Sequence, residues 1–374
     1  MMCSAILWPL LLNKSMKKLE KKKRRERLEL YSGYLSNARS EIERIINDES
    51  DVMNEINYNA DRCAALAVGN GEIPDKYLWC KNINDVDFLK VCIGKGDMEP
   101  IIDLKYPPKK LSLITDPLSD NLYQLVNEER KLKNVNIPVS LKDGCLCGCT
   151  GDKTAAEEFV KALVVQLTSL YSYDELKLVF IYNSADEAVW NYARWLPHVW
   201  NESNSFRYIA SSSQDIKELS VQLEKEVTDR SGDSECSGPY FLIITSDREL
   251  TEQLNPIKQI LKSYKDIRFS LVTLFYMRNY LDSDIIFDFE ESGSACMYKR
   301  GTNEKEGSGT EDEVQEFIPD HISRGAFTGF IDRISNIKLD VVSERYKLPK
   351  MVTFLEIFGV SKTEHLNCLT RWAE

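Results

Sequence analysis

Residues 136–182 read NIPVSLKDGCLCGCTGDKTAAEEFVKALVVQLTSLYSYDELKLVFIY, and the order of patterns in this stretch decides the fold. A strand-like run at 137–141 leads into a glycine-bearing turn, a helix-like segment at 153–171, and a second strand-like run at 176–182. Strand, helix of this length and strand imply a βαβ crossover. The helix is apolar almost all round, with Ala155, Ala156, Phe159, Val160, Leu163, Val164, Leu167 and Leu170, and is expected to lie centrally buried.

The alternation continues downstream. Strand-like runs recur at 206–210, 240–245 and 267–275, and helix-like segments at 185–194, 214–227 and 250–264. The fold class is therefore α/β, with a mostly parallel sheet between two layers of helices. Upstream, short strand-like runs at 88–93 and 101–104, with a helix over 121–133, read as a small β-rich element. Segments 229–238 and 301–312 are rich in Ser, Gly, Asp and Glu and read as surface loops.

The chain has 374 residues, 43% of them hydrophobic and 29% charged, which excludes wholesale disorder and a multi-span membrane protein. Its net charge of −11 is unevenly spread: residues 1–27 carry nine basic side chains against Glu20 and Glu26, a net of +7, leaving −18 on the rest. So acidic a body repels a polyphosphate, and nucleic-acid binding beyond the N-terminal segment is disfavoured. The ten cysteines are scattered, which suits a reducing compartment.

Residues 1–12, MMCSAILWPLLL, are too few to span a bilayer alone. Apolar residues followed by a dense Lys/Arg cluster have the polarity of the cytoplasmic end of a transmembrane helix, with Trp8 at the interface. The expectation is that residues 1–12 are the tail of a membrane span. Leu28, Tyr31, Leu35, Ala38, Ile42, Ile45 and Ile46 then share one helical face, so 13–68 is read as a juxtamembrane stalk.

Gly144 to Thr154, GCLCGCTGDKT, carries most of the chemistry. A phosphate loop needs glycines for close backbone approach, a Lys for the β and γ oxygens, and a Ser or Thr hydroxyl for magnesium. Those ingredients are present without the spacing: glycine is wanted where Cys147 and Asp152 stand, and Asp152 sets a negative charge beside the expected phosphates. Nucleotide binding and a tight turn kept for packing both stand as readings, and hydrolysis here is disfavoured. Asp247, just past the apolar run at 240–245, is either a water-mediated magnesium partner or the cap of the next helix. Cys145, Cys147 and Cys149 alternate, but no fourth ligand accompanies them, so a metal site is disfavoured. The aromatic cluster Trp190, Tyr192, Trp195 and Trp200 is expected to pack rather than to recognise a partner.

Taken in order, several short blocks resemble the EssC/EccC proteins, the FtsK/SpoIIIE-type ATPases of type VII secretion. They are Leu78-Trp79 with Asp87-Phe88-Leu89, Val91, Gly94 and Gly96; Asp116-Pro117-Leu118 with Leu125-Val126; Trp195-Leu196-Pro197-His198; and Leu348-Pro349-Lys350 through Gly359-Val360, ending near Trp372. The resemblance implies a P-loop-NTPase-like fold with degenerate motifs, ahead of motor modules with intact phosphate loops. It divides the chain into a membrane tail at 1–12, the stalk at 13–68, a linking β-rich element at 69–134, the ATPase-like domain at 135–347, and a linker at 348–374. It implies ATP and magnesium as cofactors, with Gly148, Gly151, Lys153 and Thr154 on the phosphate side, Asp247 as the acidic partner, and Thr154 and Asp247 toward the metal. The implied partners are further copies of the chain, other membrane components of a type VII secretion system and, indirectly, small WXG-type secreted proteins. The implied location is the cell membrane, with the body on the cytoplasmic side. The alternatives are a scaffold that binds no nucleotide and a relative of DNA translocases.

Overall fold

The basic cluster and the apolar stripe after it form one helix, α1 (Met2–Ile56), in the computed structural model, which describes residues 2–69, 75–108, 117–142, 146–231, 238–275, 283–299 and 313–337. The chain divides into two compact units, Met1–Ser335 and Asn336–Glu374, and the first holds every element described below. The C-terminal motif block at 348–360, Trp372 and the acidic loop at 301–312 lie outside the described residues. Among those described, no helix is long and apolar enough to cross a membrane.

From Ile42 onward α1 leans on the body: Ile42 is buried, Arg39 pairs with Glu128 at 3.0 Å, and Glu49 accepts the Ile101 amide at 2.9 Å. After Asn57 the chain turns into α2 (Ala60–Val68), capped by Asn59 and ended by Gly69 at φ +54°. The small buried side chains Ala60, Cys63, Ala64 and Ala67 let α2 pack closely on later helices.

The remaining elements run β1 (Lys90–Met98), α3 (Pro117–Val126), β2 (Leu132–Ser140), β3 (Leu146–Gly151), α4 (Lys153–Leu170), β4 (Leu176–Ile181), α5 (Glu187–Trp190), β5 (Ile209–Ala210), α6 (Ser213–Ser231), β6 (Tyr240–Thr245), α7 (Arg248–Glu252), α8 (Ile257–Ile267), β7 (Phe269–Thr273), β8 (Ile285–Phe289), β9 (Ala295–Lys299), β10 (Glu313–Pro319) and α9 (Arg324–Ile334). All ten strands join one sheet in the order β2-β1-β10-β9-β8-β3-β7-β6-β4-β5. Neighbours from β8 to β5 are parallel; β2, β1, β10 and β9 extend the sheet antiparallel.

Side-chain alternation puts helices on both faces. Val179, Ile181, Phe241, Ile243, Phe269 and Leu271 pack with α6 and α8. On the other face Phe159 of α4 meets Phe287, Phe289 and Phe317, and Tyr192 meets Phe327 of α9. The three-layer α/β expectation holds.

Three local expectations are corrected. Residues 101–104 form no strand, and Ile101 is 89% exposed, because no neighbouring strand takes up their backbone. The helix expected over 121–133 is displaced to α3, and Leu132 already belongs to β2. Segment 185–194 breaks into two 3-10 turns around the four-residue α5. The strands upstream of residue 135 are bonded through β10 to the edge of the main sheet.

Candidate functional site

In parallel sheets, ligands sit at the carboxyl ends of the strands, and the carboxyl end of β3 is where the phosphate loop was sought. The chain builds something tighter there. Residues Leu146 to Gly151 are strand rather than turn, with Gly148 opposite Thr273 on one side and Ile286 on the other. Gly151 still pairs with Phe289, and the Asp152 amide extends the ladder by donating to the Phe289 carbonyl at 2.9 Å. Gly151 has φ +85°, and a Cβ there would stand 2.0 Å from the Phe289 oxygen. This glycine serves a close approach of two strands.

Helix α4 begins at Lys153 with a single residue between it and β3. That residue, Asp152, is its N-cap: the carboxylate accepts the Ala155 amide at 2.7 Å and the carbonyl accepts the Ala156 amide at 3.1 Å. A carboxylate beside the positive end of a helix is stabilised by the helix dipole.

Lys153 is half-exposed, and its ammonium donates to Asp186 at 3.1 Å with Glu157 at 3.7 Å. The Asp186 hydrogen bond is the main cause raising the Lys153 pKa, while burial raises that of Glu157 despite the neighbouring ammonium. Thr154 is exposed. Asp247 caps α7 by accepting the Leu250 amide at 2.8 Å, and its other oxygen accepts from Asn183 Nδ2 at 3.0 Å. Asn183 itself caps the turn that carries Asp186. Lys153 and Asp247 thus bind opposite ends of one short segment after β4, and Gly148 stays inside the sheet.

The amides at Asp152 and Ala155 are already donated within the protein, the lysine faces Asp186, and the stretch expected to wrap phosphates is laddered between β7 and β8. Gly144 and Cys145 lie outside the described residues. Cys147 and Cys149 are buried, and burial pushes the Cys149 thiol up to about 12. No cluster of three or more potential metal ligands occurs among the described residues.

The aromatic cluster packs as expected in part. Trp190 is buried and meets Phe180 and Tyr192, whereas Trp195 is 63% exposed. Buried His198 binds the Tyr171 carbonyl through Nε2 at 2.8 Å, and burial holds its pKa down at about 3.

A second polar constellation, invisible to motif reading, lies farther along α4. Gln166 brackets Cys92 on β1, accepting its amide and donating to its carbonyl, each at 2.8 Å. Gln166 thus satisfies both main-chain groups of Cys92, which stands opposite Pro138 on β2. Gln166 also donates to Asp320 at 2.9 Å, and the same carboxylate oxygen accepts the Ala60 amide that opens α2, at 2.6 Å. One side-chain pair therefore ties α4, the sheet extension and α2 together. No local sequence signal pairs residues so far apart in the chain.

The fold is a mixed α/β chain in which the helix following β3 is capped by its own carboxylate, Asp152. No family model matches the sequence. It is 20% identical over 378 residues to the ESX secretion system protein EccC of Geobacillus thermodenitrificans, covering 96% of this chain and 24% of that protein. It is 23% identical over 382 residues to the type VII secretion system protein EssC of Staphylococcus aureus, covering 97% of this chain and 24% of that one. Among solved structures, EssC (ATPases 2 and 3) from Geobacillus thermodenitrificans aligns with a TM-score of 0.43 at 11% identity, covering 74% of this chain and 55% of that one. The cytoplasmic domain of the type VII secretion ATPase EccC of Thermomonospora curvata aligns at 0.38 and 10% identity, covering 52% and 25%. The chain spans about a quarter of the length of these curated relatives. The resemblance to EssC/EccC proteins, read from the ordered blocks, holds along nearly the whole chain.

Proposed function

We propose that this chain is a structural coupling module of an EssC/EccC-like type VII secretion protein, joining a membrane-proximal stalk to downstream motor modules without binding nucleotide. The observation carrying this reading is the Asp152 cap: the carboxylate at the start of α4 uses the helix-end amide and the local positive potential that a phosphate would require. The Gln166–Asp320–Ala60 clamp supports the coupling role, because a displacement of α4 is passed directly to α2 and so to the end of the stalk helix. Self-association, contact with other secretion components and an indirect relation to WXG-type cargo belong to the same proposal, as does a membrane location with the body on the cytoplasmic side. The acidic body beyond residue 27 favours this over a DNA translocase.

Calorimetry of the 374-residue chain with ATP and magnesium at millimolar concentration tests the reading. No heat of binding is expected. Saturable binding that Lys153→Ala abolishes would overturn it in favour of a working nucleotide site at Gly151, Lys153 and Thr154.

A further inference from the structure

Between Lys14 and Arg27, α1 carries nine cations against Glu20 and Glu26. Every residue from Lys14 to Leu30 is exposed and helical, and the nine cations of 14–27 are distributed around the axis rather than along a stripe. At about 100° per residue, Lys14, Lys18, Lys21 and Arg25 share one side, Lys23 and Arg27 the opposite side, and Lys17, Lys22 and Arg24 the flanks. A helix lying flat in a membrane interface needs one apolar face. Between Lys14 and Arg27, Met16 and Leu19 are the only large apolar side chains, and Lys23 interrupts their side.

The same unbroken helix then reverses sign. Residues 28–56 carry Arg39 and Arg44 against Glu29, Glu41, Glu43, Asp48, Glu49, Asp51 and Glu55, a net of −5. The +7 and −5 segments thus sit on one rod of roughly 80 Å. An anionic surface attracts the first segment and repels the second, which sets the rod upright. A ring of cations around an upright rod, next to an apolar run, matches a ring of lipid headgroups.

We propose that the Lys14 to Arg27 collar of α1 seats end-on against anionic lipid headgroups and holds the stalk perpendicular to the bilayer. This rests on the membrane-proximal reading above and adds the lipid class and the orientation. Lys14, Lys17 and Lys18 fall within about a Debye length of the apolar run, with Lys21 and Lys22 about half as far again along the axis, so the attraction is strongest at the first three.

Co-sedimentation of the 374-residue chain with equimolar phosphatidylglycerol–phosphatidylcholine vesicles, and with pure phosphatidylcholine vesicles, at 50 and 500 mM salt tests this. The expected result is about tenfold or more stronger partitioning onto the anionic vesicles at low salt. Raised salt, and the combined K17Q/K18Q/K21Q/K22Q variant, should each remove that preference while leaving the thermal unfolding midpoint unchanged. Equal binding to both vesicles would overturn the lipid proposal while leaving apolar anchoring intact. Binding to neither would overturn both it and the membrane-proximal reading. Capture by duplex RNA or DNA at a salt concentration where anionic vesicles bind nothing would assign the collar to nucleic acid instead.

Discussion

At the scale of single residues, the candidate site turns on two glycines of the same strand with unlike jobs. Gly151 sits at φ +85°, with the Phe289 carbonyl where a Cβ would go, so the backbone itself blocks any larger residue. Gly148 has no such constraint, and an added Cβ would meet Ser283 Oγ at 3.2 Å, a contact that a small side-chain adjustment relieves. Gly151→Ala is therefore expected to lower unfolding stability by about 2 kcal/mol or more, and Gly148→Ala by under about 1 kcal/mol, in urea titrations. A phosphate loop would give the opposite pattern of sensitivity only through ligand binding, so equal costs without ligand would refute the strand account. Asp152 completes the pair. Its carboxylate, which the sequence sets beside the expected phosphates, caps α4 by accepting the Ala155 amide.

At the scale of elements, α4 is joined to the body at both ends by charged groups, Lys153 to Asp186 and Gln166 to Asp320. Burial raises the Asp320 pKa above the ordinary carboxylate value. The folded state therefore holds this proton more tightly than the unfolded chain, and the ionised group costs stability as pH rises from that ordinary value through the folded one. Asp320→Asn keeps an oxygen for the Ala60 amide and the Gln166 side chain, so at pH 7 it should match or exceed the parent in urea titrations. Its advantage should vanish on acidification toward pH 4. Asp320→Ala should cost about 2 kcal/mol or more by leaving those two donors unpaired. If Ala and Asn behave alike at pH 7, the clamp is not the joint described. Elements with dense local patterns were legible in sequence: the stripe from Leu28 to Ile46 gave α1, and the all-round apolar 153–171 gave α4 within a residue of its end. Strand β3 was not, because LCGCTG has little intrinsic strand preference and is extended only by neighbours on both sides. Strands β8, β9 and β10 escaped notice for a related reason, being short and polar on one face. The clamp was illegible in principle, since residues 60, 92, 166 and 320 meet only after the sheet has formed.

At the scale of the whole molecule, the question is where the stalk ends and the body begins, and the contacts place that point inside α1 rather than after it. Asn54 accepts the Asn136 amide at 2.9 Å, and the Asn57 carbonyl accepts its side chain at 2.7 Å, so the last turns of α1 cover the outer edge of β2. An uncovered strand edge is a template for pairing with other chains. Arg39, Ile42 and Glu49 all engage the body. A chain starting at Ser36 should thus keep the thermal midpoint of the full sequence within a few degrees. One starting at Tyr58 should lose roughly 10 °C, as expected for about 3 kcal/mol in a body of this size, and should aggregate through β2. Equal losses from both truncations would place the structural boundary nearer the basic collar. With the predicted difference, force applied at the N-terminal end of α1 enters the body at β2 and α2, the two elements that α1 and Asp320 already hold.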